Sequence, residues 1–196
     1  MTKSNLTKEK ILTAALDAFA TKGFEGTRVD QLAQAAGVNK AMIYYFFGSK
    51  EGLFNELFQM EMEQLKQELA EVLENRDARS LEEMSAATRQ FLEYVESKES
   101  ILRVLMSGAI FHATLQKDLF QLLDLTTAVG IEAAQKVGRG SPASKGDELL
   151  HELFSGLLPI IYFVLLRDGL ETYYHWEREA LTERFIAGWL KLHGGY

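Results

Sequence analysis

Two lysines and two adjacent tyrosines lie close together near the start of the chain, at Lys40, Tyr44, Tyr45 and Lys50. Ammonium and phenol groups donate hydrogen bonds to phosphate oxygens, and lysine also reaches acceptor atoms on base edges. On a helix, the first three of these residues and the small Ala41 share one face, so the backbone could approach a DNA groove. The pattern favours a surface that contacts nucleic acid, while half-buried aromatic packing is the alternative.

Three short helices are predicted to position these side chains. Thr27 is expected to cap the second helix, with Asp30 as the acidic partner of a capping box. Gly37 then ends that helix, and Asn39 caps a third helix that begins at Lys40. Because only a short glycine-containing turn separates the second and third helices, the arrangement predicted is a helix-turn-helix.

The same stretch has the residue pattern of a known family. Residues 23–54 read GFEGTRVDQLAQAAGVNKAMIYYFFGSKEGLF, and this segment resembles, without gaps, the signature of the TetR family of bacterial regulators. The matching elements are Gly23-Phe24, Thr27, the Ala-x-x-Ala-Gly-Val of residues 33–38, Ile43-Tyr44, Phe47 and Ser49-Lys50. The resembling segment covers 32 of the 196 residues, about a sixth of the chain.

The resemblance implies roles for individual residues on double-stranded DNA. Phosphate contacts are implied for Thr27, Arg28, Tyr44, Tyr45 and Lys50, and positions nearest the bases for Lys40, Ala41 and Met42, with the cap Asn39 beside them. Two positions depart from the family pattern: Met42 stands where a small or hydroxylated residue is common, and Phe46 where His or Tyr is frequent. The first departure leaves the base preference open, and the second removes a possible phosphate contact.

Composition and charge restrict the function classes further. Residues 1–54 carry seven Lys/Arg against five Asp/Glu, a net of +2, and the rest carry 14 against 23, a net of −9. A mildly basic end on an acidic body permits DNA binding at that end. The chain has no cysteine and its four histidines lack metal-ligand spacing, so neither disulfides nor a metal site is expected. Catalytic and phosphate-loop motifs are missing too, and we predict no enzyme activity and no cofactor.

Helix-period patterns run through nearly the whole sequence, so the predicted class is all-α. We expect a helix-turn-helix DNA-binding domain at residues 1–50 and a larger helical ligand-binding and dimerisation domain at residues 51–196. A long helix over residues 50–74 would connect them and carry movement between them. A polar N-terminus, and an apolar run over residues 157–166 that is too short for a bilayer and contains Pro159, favour a cytoplasmic protein without a membrane partner.

The apolar run also indicates an oligomer. A helix that is apolar all round needs cover on more than one side, which the subunit's own core and a second copy would together supply. We therefore predict a homodimer on a palindromic operator, with an interface built from the run and the last helix. The predicted interface residues are Gly156, Ile160, Phe163, Leu181, Phe185 and Trp189.

Aromatic and methionine side chains recur in the central helices. They are either ordinary core packing or the wall of a pocket for an apolar or aromatic ligand, which the resemblance favours. The candidate pocket residues are Phe58, Met62, Met84, Phe91, Tyr94, Met106, Phe111, Phe120, Phe154 and Tyr162. The resulting prediction is a repressor released from its operator by such a ligand, and the alternative is a DNA-binding protein of the same build controlled by a protein partner.

Overall fold

The computed structural model describes residues 3–74, 81–111 and 145–194, together with residues 116–117, 119–121, 123–124, 127–128 and 131. Every secondary-structure element in these ranges is helical, which confirms the all-α prediction. The helices are α1 (Lys3–Gly26), α2 (Val29–Ala36), α3 (Lys40–Phe47), α4 (Lys50–Glu74), α5 (Leu81–Ser97), α6 (Glu99–Phe111), α7 (Lys145–His151), α8 (Leu158–Tyr174) and α9 (Arg178–Gly194). A π-helical segment, Glu152–Leu157, joins α7 to α8.

Contacts between backbone positions divide the chain into two compact units, each made of two segments. The first unit comprises Met1–Leu65 and Ser100–Leu119, and the second comprises Lys66–Glu99 and Phe120–Tyr196. The helix-turn-helix helices α1 to α3 therefore belong to the same unit as most of α4. The predicted division into a DNA-binding domain and a ligand-binding domain at residue 50 concerns function, and it stays a prediction.

The core of the first unit is built largely from aromatic rings. Phe54 of α4 meets the rings of Phe19 and Phe24 edge-on, with both centroid distances 5.1 Å. Ile11 and Ile43, from α1 and α3, are fully buried beside them. Burying apolar groups of this size stabilises a fold by roughly 1.5–3 kcal/mol for each side chain, so the start of α4 is an integral part of the DNA-binding unit.

The second unit combines an apolar core with a buried cation. Phe163 of α8 stacks on Phe185 of α9, with centroids 4.1 Å apart. Arg167 is buried on α8 and pairs with Glu96 of α5 and with Glu171 on its own helix. Glu96 also forms an ion pair with Arg178 of α9, with 3.2 Å between Oε1 and Nη1. These paired charges fix α5, α8 and α9 to one another, because removing one partner would leave a buried charge uncompensated.

Pro159 accounts for the π-helical segment before α8. A proline has no N–H to donate to the carbonyl four residues earlier, here that of Ser155, and its ring crowds that carbonyl. Widening the helix over Glu152–Leu157 removes the conflict without ending the helix. The carbonyl of Gly156 accepts a hydrogen bond from Trp189 Nε1 at 3.0 Å, which joins the segment to α9.

The continuous helix Gly146–Tyr174 is longer than the apolar run read from the sequence. It has 29 residues and is long and apolar enough to cross a membrane by length and composition, with 28% of its most apolar window buried. The run over residues 157–166 is therefore only part of a longer helix. The flanking residues add leucines and glycines, and they also add the charged residues Asp147, Glu148, Glu152, Arg167, Asp168 and Glu171.

Candidate nucleic-acid interface

Helix α3 has one face buried and one face in solvent. Ile43 and Phe47 face the core, while Tyr44 and Tyr45 are 44% and 78% exposed. The side chain of Asn39 accepts a hydrogen bond from the Ala41 N–H at 2.9 Å, which confirms that it caps α3. The helix thus presents Lys40, Ala41 and both tyrosines to solvent, as the sequence predicted, and Met42 is half-buried.

The turn between α2 and α3 has a defined geometry set by one glycine. Gly37 has a left-handed backbone, φ 65 and ψ 36, which a residue with a side chain rarely adopts. The Gly37 N–H donates to the Gln34 carbonyl, and the Val38 N–H donates to the Ala33 carbonyl. This is a Schellman arrangement, and it directs the chain into α3 after a turn of three residues.

Lys40 forms an ion pair with a side chain of the preceding helix. Its Nζ lies 2.8 Å from Oδ1 of Asp30 on α2, and 6.0 Å from the ring centroid of Tyr44. The hydrogen bond to Asp30 raises the pKa of the Lys40 ammonium, partly offset by desolvation, so Lys40 stays charged at neutral pH. Asp30 therefore has a partner in α3 rather than the capping role predicted for it.

Two side chains expected on phosphates point into the protein instead. The Thr27 hydroxyl donates to the carbonyls of Gly23 at 2.7 Å and Ala18 at 3.2 Å, and Thr27 is buried. Lys50 Nζ donates to the carbonyls of Phe24 at 2.9 Å and Thr27 at 3.3 Å, above the Phe24 ring. Both residues satisfy carbonyls that the kink at Gly23 exposes near the end of α1, where the backbone leaves its helical conformation.

We expect Lys50→Met to reduce stability without altering the electrostatics of DNA binding. Losing charge-assisted hydrogen bonds to two backbone carbonyls should destabilise the protein by about 1.5–3 kcal/mol. The slope of log affinity against log salt should stay unchanged, because the ammonium is not placed on a phosphate. Thermal melting and DNA titrations between about 50 and 200 mM salt measure the two quantities. An unaltered melting temperature with a flatter slope would return Lys50 to the phosphate-contacting set.

Arg28 takes the place expected of Thr27 at the start of α2. It is the N-cap residue, it is exposed, and it makes no side-chain cap hydrogen bond. The first N–H groups of α2 therefore lack a side-chain acceptor from the cap residue, and Arg28 adds a positively charged residue at this end of the helix. A helix start with a neighbouring cation is well suited to an anionic group such as a DNA phosphate.

Gly52 is a structural residue of this interface that sequence reasoning missed. A methyl group at Gly52 would lie 2.0 Å from the carbonyl oxygen of Phe47, the last residue of α3. The Ser49 hydroxyl accepts the Gly52 N–H at 3.0 Å, so Ser49 caps the start of α4. A glycine inside a helical pattern is unfavourable relative to alanine, and this was the signal that another backbone passes close by.

The comparisons with known proteins agree with this geometry. The family profile described as "Bacterial regulatory proteins, tetR family" matches residues 11–57, which run from α1 into α4. This match confirms the resemblance to the TetR family over the DNA-binding segment. The chain is a helix-turn-helix transcriptional regulator, as are relatives that share this segment, and TetR-family regulators are DNA-binding proteins.

Relatives and solved structures extend the likeness beyond the segment. The HTH-type transcriptional regulator YhgD of Bacillus subtilis is 28% identical over 95% of this chain and 93% of its own. The HTH-type transcriptional repressor NicS of Pseudomonas putida is 46% identical over 52 residues, 26% of this chain and 24% of NicS. The transcriptional regulator FadR from Bacillus subtilis, solved in complex with stearoyl-CoA, shares the fold with a TM-score of 0.66 at 16% identity, over 96% of this chain and 98% of FadR.

The surface of α8 and α9 that faces away from the core differs from the predicted interface. Four of the predicted residues, Gly156, Ile160, Phe163 and Leu181, are buried in the second unit, and Phe185 and Trp189 are half-buried against α8 and the π-helical segment. Four exposed apolar side chains recur along α7, the π-helical segment and α8, and we call them the outer stripe: Leu150, Phe154, Tyr162 and Leu166. The face predicted for the dimer interface is therefore packed within the second unit, and the use of these helices in a dimer stays a prediction.

The predicted pocket residues do not form a single group. Phe58 and Met62 are fully buried in the first unit with Met106 half-buried, while Phe91 and Tyr94 are stacked in the second unit at 6.3 Å. Phe120, Phe154 and Tyr162 are exposed, so they cannot wall an internal pocket within one subunit. The side chains of Met84 and Phe111 lie outside the described residues.

A polar cluster and a cleft were not anticipated. Beside Phe91, the Tyr94 hydroxyl lies 3.4 Å from Glu68, whose carboxylate pairs with Lys98 at 2.5 Å. Burial, followed by the charge of Glu68, raises the pKa of Tyr94 above its usual range.

In the first unit, an open cleft of about 810 Å³ lies between α1 and α2, and it contains none of the predicted pocket residues. Within the described part of the chain, no group of acidic or histidine side chains could hold a metal ion.

Proposed function

We propose that this regulator is a cytoplasmic repressor that binds a palindromic operator as a homodimer and is released by a small apolar or aromatic molecule. The observation that carries the DNA-binding surface is the exposed row of Lys40, Ala41 and Tyr44 on α3, supported from behind by buried Ile43. In this proposal Lys40, Ala41 and Met42 approach base edges. Phosphates are contacted by Arg28, Tyr44 and Tyr45. The turn between α1 and α2 is held in place by Thr27 and Lys50.

A second copy of the chain is the proposed cover for the outer stripe. Exposed apolar side chains at Leu150, Phe154, Tyr162 and Leu166 follow one another at helical spacing, and a row of this kind is unusual on a monomer. The helix of the partner could approach α8 closely at Gly169, three residues after Leu166, because that glycine has open space around it. A two-fold dimer places two copies of α3 symmetrically, which requires half-sites about one helical turn apart or a little more.

The proposal of an apolar effector rests on the shared fold and on the side chains of the central helices. The fold is shared with a regulator that was solved with stearoyl-CoA, and the central helices here contain the polarizable and aromatic side chains that suit acyl or aromatic groups. The repressor assignment is supported by the likeness to the repressor NicS, which is confined to the DNA-binding segment.

The test begins by selecting bound duplexes from a randomised DNA pool with the full-length protein. Footprinting the enriched duplex should reveal two inverted half-sites, and titrating stearoyl-CoA and, separately, a simple aromatic acid should identify the effector class by release of the duplex. Enrichment of no duplex would overturn the DNA-binding proposal. Binding that neither compound changes would favour control by a protein partner over the apolar-effector proposal.

We expect Lys40→Ala and Arg28→Ala to weaken binding in different ways. Lys40→Ala should relax sequence preference at one position by roughly 1–3 kcal/mol, because the lysine approaches a base edge. Arg28→Ala should weaken all duplexes alike and lower the magnitude of the salt slope by about 0.9, since one phosphate contact is lost. Anisotropy titrations of the enriched duplex and its point variants separate the two effects. If both variants bind as the parent does, the assigned face of α2 and α3 is wrong.

A further inference from the structure

An acidic side chain lies within the surface assigned to DNA. Asp30 is the second residue of α2, with its side chain 74% exposed, and its carboxylate holds the ammonium of Lys40 at 2.8 Å. Lys40 is the first residue of α3 and remains 45% exposed, so the pair lies open to an approaching ligand. A carboxylate here opposes the approach of phosphates, and an exposed ion pair contributes little to folding stability. Its effect should therefore be visible in DNA binding.

The ion pair affects the binding of Lys40 to charged phosphates and to neutral acceptors on base edges differently. A free lysine on its flexible stem reaches phosphates readily, which supports binding to any sequence. When its charge is matched by Asp30, the long-range attraction to phosphate is reduced, and moving Nζ toward a phosphate requires the ion pair to separate. The two remaining N–H donors of the ammonium can still serve neutral acceptors such as guanine O6 and N7.

We propose that Asp30 is a specificity-determining residue that positions Lys40 for neutral base acceptors and withholds it from phosphates. This inference rests on the DNA-binding surface proposed above. It assigns to Asp30 a role that works against affinity for random DNA, so its removal should strengthen non-specific binding while it weakens discrimination.

The experiment uses the full-length protein with two probes, the duplex enriched by the parent and a scrambled duplex of the same composition. Asp30→Asn keeps the shape of the side chain and removes its charge. It should tighten binding to the scrambled duplex by roughly threefold to tenfold and steepen the salt slope for that duplex by about 0.9, as one more phosphate contact forms. The ratio of affinities for the two duplexes should fall. Asp124→Asn, which removes an exposed carboxylate from the second unit, should leave the ratio unchanged.

A double variant tests whether Asp30 acts through Lys40. In a Lys40→Met background, Asp30→Asn should no longer change the affinity ratio or the salt slope, because the ammonium that it releases is absent. The proposal is overturned if Asp30→Asn leaves the ratio intact, or if its effect is equally large without Lys40, which would indicate a general charge effect. Failure of the parent to enrich any duplex would instead reject the DNA-binding surface itself, and this inference with it.

Discussion

Gly52→Ala should cost the protein both stability and DNA affinity. The new methyl group would lie 2.0 Å from the Phe47 carbonyl oxygen, a distance that requires backbone to move because no flexible side chain is involved. Overpacking of this kind destabilises by about 1–3 kcal/mol or more, well beyond what alanine gains from its helix propensity. Since Phe47 ends α3, the displacement also shifts the exposed row of Lys40 and Tyr44.

The matched control for this prediction is Gly188→Ala on α9, where an added methyl group meets no atom within 4 Å beyond its chain neighbours and its own helix backbone. That variant should melt at the parent temperature or slightly above it, by the usual preference of helices for alanine. Thermal melting measures the first effect, and titration of the enriched duplex well below the melting temperature measures the second. A Gly52→Ala protein with parental stability and affinity would show that α3 and α4 are not in this close contact.

Leu166→Glu is the second substitution with a large expected effect, because it places a charge in the outer stripe. Leu166 is 56% exposed in the single subunit, so glutamate is tolerated there before association. At an interface centre, an unpaired carboxylate is unfavourable by about 2 kcal/mol or more for each copy. We expect the dimer to dissociate at micromolar concentration, and operator binding to fall because two half-sites are no longer engaged together.

Sedimentation velocity and operator titration are the measurements for Leu166→Glu, with two comparison variants. Met60→Glu alters an exposed apolar residue of α4 in the first unit and should remain dimeric. Phe163→Glu places a charge against the stacked Phe185 ring and should unfold the second unit instead of yielding a folded monomer. A parent that sediments as a monomer, or that stays in solution only with detergent, would contradict the dimer and favour a membrane for the outer stripe.

Local signals in the sequence were sufficient for the DNA-binding helices. Gly37 required a left-handed backbone, Asn39 supplied a cap, and the spacing of Ile43 and Phe47 separated the two faces of α3. All of these depend on neighbours within a few residues along the chain. For that reason the helix-turn-helix and the exposed row on α3 could be predicted from the order of the amino acids alone.

The expectations that differ from the observed contacts concern side chains whose partners are distant in sequence. Lys50 binds carbonyls some 25 residues earlier, and the kink at Gly23 that exposes them has no signature in the residues around Lys50. The pocket candidates were chosen by residue type, which cannot distinguish a core residue such as Phe58 from an exposed one such as Phe154. Tertiary packing decides whether a side chain is buried, whereas residue type indicates only whether it can be buried.

The π-helical segment before α8 has a consequence for how this helix could change over evolution. Hydrogen bonds spanning five residues accommodate one residue more than an α-helical turn of the same height, so Glu152–Leu157 is equivalent to an α-helix carrying a one-residue insertion. Deleting a single residue there would leave a regular α-helix in which Tyr162 and Phe163 keep their present sides. Winding the same residues as α-helix without a deletion would instead rotate everything after the segment by about 100° relative to α7, and would turn Tyr162 toward the side that Phe163 now occupies. The inserted residue therefore decides which side of α8 is available to the proposed partner.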